Sequence, residues 1–295
     1  MNIDHIAEFA VLARVGNYLE ASELLFISQS SLSKHIQSME RELGVKLFDR
    51  TTRRISLTDE GRLFLPYARK IAGLRHEYTS ALMQVTTSGT LAIGSLPIMA
   101  PYGITDAIAG FQRNNPGISV RLVEGDGDQL KQMIINDEIE LAFIRDEGDG
   151  DERFHRIPFT GDRLMAILPP DHPLAGRDSI TLKELEPENF LLLPEGSAVH
   201  RLALQKCEEQ GFTPTVTYTG QRAENIIDLV SKGMGVSLLM EKPARSLSHG
   251  SVAIVEVQPI VKQAIRIFTK RERDLSRMAT HFINYIPYQD FFHIY

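Results

Sequence analysis

The stretch from Ser28 to Gly44 constrains this chain more than any other, because it fixes a helix with two faces of opposite character. Ser28 is placed to cap the helix and Gly44 to stop it. Leu32, Ile36, Met39 and Leu43 recur at steps of four, three and four, which predicts one buried stripe. Gln29, Ser30, Ser33, Lys34 and Gln37 form an outward stripe of hydroxyls, amides and one cation, with no acid before Glu40. Such side chains suit base edges and phosphates in the major groove of DNA. A shorter helix precedes it, from a cap at Asn17, with Glu20 in the capping-box position, to about Leu25. Phe26 and Ile27 give a tight apolar connection. Two short helices joined this way, the second polar at its start, make a helix-turn-helix. The same spacing also fits a small three-helix domain with a solvated basic loop.

Charge sharpens the choice. Phe26–Thr58 holds six cations against three acids, whereas the chain from Gly89 onward holds 21 cations and 28 acids. The formal net charge of −6 argues against a protein that coats nucleic acid indiscriminately. A small basic surface on an acidic body suits a localised DNA contact. Arg50, Arg53 and Arg54 lie in a hairpin-like segment between the apolar anchors Phe48 and Ile55/Leu57. A basic hairpin beside a recognition helix is a wing, and its arginines suit the minor groove.

From Thr58 to about Thr87 one helical pattern runs without interruption, capped by Thr58 with Asp59 and Glu60 in its first turn. Phe64, Tyr67, Ile71, Leu74, Tyr78, Ala81 and Val85 alternate steps of three and four, the spacing of a coiled-coil seam. Pro66 falls inside and is expected to bend the first turns. The helix could pack on its own domain, but so narrow a seam is under-buried alone, which favours pairing with a second copy. Beyond Gly89, apolar strands such as Leu91–Gly94, Leu141–Ile144 and Val236–Leu239 alternate with helices, which implies an α/β fold with mostly parallel sheets. In such sheets ligands bind beyond the carboxyl ends of strands. The loops there carry Ser95, Pro97, Ile98, Asp126, Arg145, Ser197 and Gln221, and two helices begin among them, so a small anion is the expected ligand. Arg145 could equally form a surface ion pair with Asp146 or Glu147.

Other chemistries find no support. Gly233-Met234-Gly235 follows a helix and precedes a strand, the reverse of a dinucleotide loop. The nine histidines lack metal-ligand spacing, Cys207 is the one cysteine, and no nucleophile–base pair stands out. We expect no catalytic residue, no metal and no cofactor. No run is apolar enough to span a bilayer and the first residues do not read as a secretory signal, so a cytoplasmic protein without membrane contact is expected.

The run from Asn17 to Gly61 resembles the DNA-binding domain of LysR-type transcriptional regulators. Ala21, Leu25, Ser28-Gln29, Ser33, Ile36, Glu40, Leu43-Gly44, Leu47-Phe48, Arg50, Leu57-Thr58 and Gly61 carry the likeness. Further on, the strand Leu91–Gly94, Asn115-Pro116, Pro170–Ala175 and Val230–Leu239 resemble the effector domain of that family. The resemblance implies an α+β multidomain chain: a winged helix-turn-helix over 1–58, a linker and dimerisation helix over 59–88, and an effector domain over 89–295. It implies that the effector domain has two α/β lobes joined by crossing strands, as in type 2 periplasmic binding proteins. We place the lobes at about 89–160 with 268–295, and at about 161–267. It further implies a regulator that binds double-stranded promoter DNA, takes a small-molecule effector between its lobes, and forms homodimers and homotetramers. An activator of this kind would also meet RNA polymerase. Gln29, Ser30, Ser33 and Lys34 would face bases or phosphates, with Arg53 serving the wing. The family often has proline at the position of Ser30 and arginine at that of Lys34, and serine or threonine where this chain has Pro97 and Ile98. A free solute-binding protein would not need the N-terminal domain, and an enzyme on the same fold would need a catalytic constellation.

Overall fold

Three helices build the N-terminal unit. α1 (Ile3–Val15) precedes the two expected helices, α2 (Tyr18–Leu24) and α3 (Gln29–Leu43). The computed structural model describes residues 2–25, 27–49, 55–86, 89–148 and 150–286, so Phe26 and the wing arginines Arg50, Arg53 and Arg54 lie outside the described residues. Asn17 Oδ1 accepts from Leu19 N at 2.8 Å and so starts α2. Ser28 Oγ accepts from Ser31 N at 3.0 Å to start α3, and Gly44 ends it at a left-handed φ of 72°. Leu32, Ile36 and Met39 pack with Phe9 and Leu12 of α1 and with Leu47.

Leu43, the fourth member of the expected stripe, is exposed instead. Glu40 takes the inward place in that last turn, because its carboxylate accepts from Leu47 N at 2.9 Å and Phe48 N at 3.3 Å. Two buried amides of the returning chain are satisfied in this way, and Lys46 Nζ lies 3.2 Å from the same carboxylate. β1 (Phe48–Asp49) and β2 (Ser56–Leu57) then pair antiparallel as the stem of a hairpin.

α4 (Asp59–Thr86) runs from this unit as one helix through Pro66, with Thr58 Oγ1 accepting from Gly61 N at 3.0 Å. Gly61 must be glycine, since a Cβ there would stand 2.1 Å from Leu47 O. The side chains of Ala81 and Val85 lie outside the described residues, and the other five of the expected seam divide in two. Phe64 and Ile71 turn into the N-terminal core, Phe64 with its ring 5.2 Å from that of Phe9. Tyr67, Leu74 and Tyr78 stay exposed, and Leu63 and Leu82, which lie outside the expected set, join them. The first turns of α4 must cover α1 as well as face outward, so not every apolar residue along them is free.

The C-terminal domain opens with β3 (Gly89–Ser95), α5 (Ile104–Asn114), β4 (Ile118–Glu124), α6 (Gly127–Ile135) and β5 (Leu141–Asp146). β3 pairs parallel with both β4 and β5. There follow β6 (Phe154–Leu168), β7 (Ser179–Thr181), β8 (Asn189–Leu192), α7 (Ala198–Glu209), β9 (Thr215–Thr219) and α8 (Ala223–Ser231). β10 (Ser237–Met240), α9 (Glu241–Ser248), β11 (Ala253–Gln258), β12 (Lys262–Lys270) and α10 (Arg277–Tyr285) follow, the last elements among the described residues.

β6 is the frame of this domain. Its residues Phe154 to Arg163 pair antiparallel with β12, and Leu164 to Leu168 pair antiparallel with β10 and β11. β12 in turn pairs antiparallel with β5. β6 and β12 therefore carry the chain between two lobes, each with its own core: Phe159, Ile265 and Ile267 sit in one, Leu164 and Val261 in the other. The return crossing falls near Lys262 rather than 267, and the outward one near Arg163. The expected parallel pairing holds for β3–β4, β3–β5, β8–β9 and β7–β11, but every pair made by β6 or β12 is antiparallel. A strand that returns between lobes has to run against its neighbours.

Candidate nucleic-acid face and ligand cleft

α3 presents a polar face with its apolar side held down. Gln29, Ser30, Lys34 and Gln37 are exposed and Ser33 is half-buried. Gln37 Nε2 donates to Ser33 Oγ at 3.3 Å, and the hydroxyls of Ser28 and Ser30 lie 2.9 Å apart. The first turn carries no acid, so the amide end of the helix is open to anions. Behind this face, His35 Nδ1 lies 2.8 Å from Glu8 Oε2 of α1, and the His35 and His5 rings stack at 4.1 Å. Burial raises the carboxyl of Glu8 above its ordinary range, against the pull of His35. Burial, then the neighbouring His35, pushes the ring of His5 down. The sequence signal for this clamp is an acid, Glu8, set inside the apolar run Ile6–Leu12.

Between the lobes lies a cleft of about 460 Å³. Pro97, Ile98, Asp126 and Arg145 line it from the first lobe, and Ser197 and Gln221 from the second. Six of the seven expected ligand residues thus meet in one place. Ser95 does not: it is fully buried at the end of β3, and its Oγ donates to Leu96 O at 3.1 Å. Alternation along the strand turns it into the packed interior of its lobe. Asp126 and Ser197 cap the helices that flank the cleft, Asp126 Oδ1 accepting from Gln129 N at 2.8 Å and Ser197 Oγ from His200 N at 3.1 Å.

Arg145 is 9% exposed. Its Nη2 donates to Tyr102 Oη at 2.7 Å, with the guanidinium 5.6 Å from the centre of the Tyr102 ring, while Nη1 is buried without a hydrogen-bond partner. Neither neighbouring acid neutralises it. Asp146 lies 2.8 Å from Arg266 and 3.4 Å from Arg156, and Glu147 takes Arg201 across the cleft at 2.7 and 3.1 Å. Tyr102 Oη donates onward to Asp162 Oδ2 at 2.8 Å on β6, and Asp162 Oδ1 accepts from Lys242 N of α9 at 3.3 Å. Burial, with Asp162 beside it, drives the Tyr102 hydroxyl far above its usual range even against Arg145, so it stays a donor at any physiological pH. Tyr102, Asp162 and Arg201 escape sequence reasoning because their partners are distant along the chain.

Among the described residues no group of three His, Cys, Asp or Glu could hold a metal, and no helix is long and apolar enough to cross a membrane. Cys207 is buried, and desolvation pushes its thiol up to about 12.

A helix-turn-helix unit joined by a long helix to two lobes that close on a cleft defines a ligand-responsive DNA-binding regulator. Residues 3–62 match the bacterial regulatory helix-turn-helix proteins of the lysR family, and residues 85–289 match the LysR substrate binding domain. The chain belongs to the LysR family of transcriptional regulators. It is 30% identical over 295 residues to YybE, an uncharacterised HTH-type transcriptional regulator of Bacillus subtilis, covering 97% of this chain and 98% of that one. It is 31% identical over 265 residues to the transcriptional dual regulator GltC of the same organism, covering 87% of each. The crystal structure of HinK, a LysR family transcriptional regulator from Pseudomonas aeruginosa, matches with a TM-score of 0.61 at 26% identity over 97% of both chains.

Proposed function

We propose that this LysR-type regulator sets α3 in the major groove of promoter DNA, with Gln29, Ser30, Ser33, Lys34 and Gln37 against base edges and phosphates. Arg50, Arg53 and Arg54 belong to a wing that follows the groove edge. Two copies pair through α4 and present two recognition helices to successive half-sites, and pairs of dimers form a tetramer. The protein works in the cytoplasm and turns over no substrate; where it activates, RNA polymerase is its further partner. Its effector is a small molecule whose anionic end meets Arg145 in the cleft. One observation carries this reading: the exposed polar ridge of α3 stands opposite a fully buried one, Leu32, Ile36 and Met39.

Footprinting upstream of the protein's own operon tests it. A protected pseudo-palindrome is expected. Lys34→Ala and Arg53→Ala should each weaken binding and lower the slope of log affinity against log salt by about one. A protein that protects no site there, or variants with the wild-type slope, would sink the assignment of this face.

A further inference from the structure

We infer that the cleft selects a singly charged carboxylate carried on an apolar body. The inference rests on Arg145 as the anion contact and goes on to the chemistry of the rest of the ligand.

The charge count of the walls sets the valence. Arg145, Asp126 and Glu147 are the charged side chains among the lining residues. Glu147 is held by Arg201, and Asp126 spends one oxygen on the cap of α6. The unmet demand is therefore the Nη1 amino group of one guanidinium that is nine-tenths buried. A carboxylate satisfies it with a charge-assisted bond. A neutral amide carbonyl satisfies the geometry but not the charge. A second carboxylate on the ligand would meet no further cation on these walls and would approach the acids Asp126 or Glu147.

The remaining wall sets the body. Leu96, Ile98, Leu130, Ile144, Leu193 and Met240 face the cleft. Sugars and polyols need a polar partner for each buried hydroxyl. Here Tyr102 Oη already donates to Asp162 and Ser197 Oγ already accepts from His200 N, so Gln221, the Ser197 hydroxyl proton and the second oxygen of Asp126 are the side-chain groups left to serve them, fewer than a polyol carries. A branched alkyl chain or an aromatic ring gains from the same surface by leaving water.

Calorimetric titration of the full-length protein with phenylacetate, 3-methylbutanoate, phenylacetamide and phthalate tests the inference. At least one of the two monocarboxylates should bind at least about tenfold tighter than the amide and the dianion, as a hydrogen bond to a buried charge implies. Arg145→Met should abolish that preference, and the wild-type comparison stands even if this variant folds poorly. Equal or tighter binding of phenylacetamide or phthalate, a preference that survives in Arg145→Met, or no binding of either monocarboxylate overturns the ligand class. Ala198→Trp, which fills the cleft, separates the two levels of the argument. Loss of all binding in that variant supports the cleft as the site, whereas binding that persists would overturn the cleft itself.

Discussion

Glu40 shows how one buried charge can hold a DNA-binding unit in shape. It is 2% exposed, and its carboxylate accepts from two backbone amides as well as facing Lys46. Glu40→Ala leaves both amides buried and unpaired, which costs about 2–4 kcal/mol. A melt of the full-length protein should show an early transition, accompanied by loss of operator binding. Glu40→Gln retains one acceptor and should lose less than half as much stability; equal losses would remove the acceptor role. Cys207 offers a second residue-scale test. With its thiol buried and pushed up to about 12, it should react with a disulfide reagent at neutral pH only after denaturant is added, and peroxide should leave operator binding unchanged. Fast labelling of the native protein would contradict the burial. Residues that act through local spacing, such as Ser28 and Gly44, were legible in the sequence. Glu8 and Tyr102 were not, because their roles come from His35 and Asp162, 27 and 60 positions away.

At the scale of elements, α3 was readable because one period, apolar behind and polar in front, decides its placement. α4 was readable as a helix but not as a surface. Cover for α1 and the proposed pairing with another copy would both ask for apolar residues along it, and the heptad spacing does not tell them apart. Phe64 and Ile71 pack into the N-terminal core while Tyr67, Leu74 and Tyr78 stay exposed, and the difference is measurable. Leu74 is 60% exposed, so Leu74→Glu should leave the fold intact while shifting sedimentation toward the monomer. Phe64 packs on Phe9, so Phe64→Ala should lower the stability of the N-terminal unit by about 2–3 kcal/mol and change the oligomer less. The reverse pattern would return Phe64 to the seam. β6 was the hardest element to foresee. Only Leu164 to Leu168 reads as a strand, since Pro158 and Gly161 interrupt the half-buried stretch before it.

For the whole molecule, the informative contact is the one that ties the lobes across the cleft mouth. Arg201 on α7 grips Glu147 just after β5 with two hydrogen bonds, while β6 and β12 leave the lobes joined by two crossing strands. Both side chains keep substantial contact with solvent, Arg201 at 44% and Glu147 at 31% exposure. Such a pair is worth less than about 1 kcal/mol, a factor of roughly five between closed and open populations. This is small enough for a bound effector to override and large enough to bias the empty protein toward closure. Energy transfer between dyes on cysteines placed at Gln132 and Gln205, one on each lobe, reads that bias directly, since the buried native thiol stays unlabelled. Arg201→Ala should lengthen the mean distance, and 1 M salt should do the same to the wild type, because screening reaches an exposed pair. Glu147→Gln should match Arg201→Ala, and combining the two should add nothing further, as a single shared interaction requires. Additive changes, or a distance indifferent to salt, would mean that the lobes are held by their crossing strands alone.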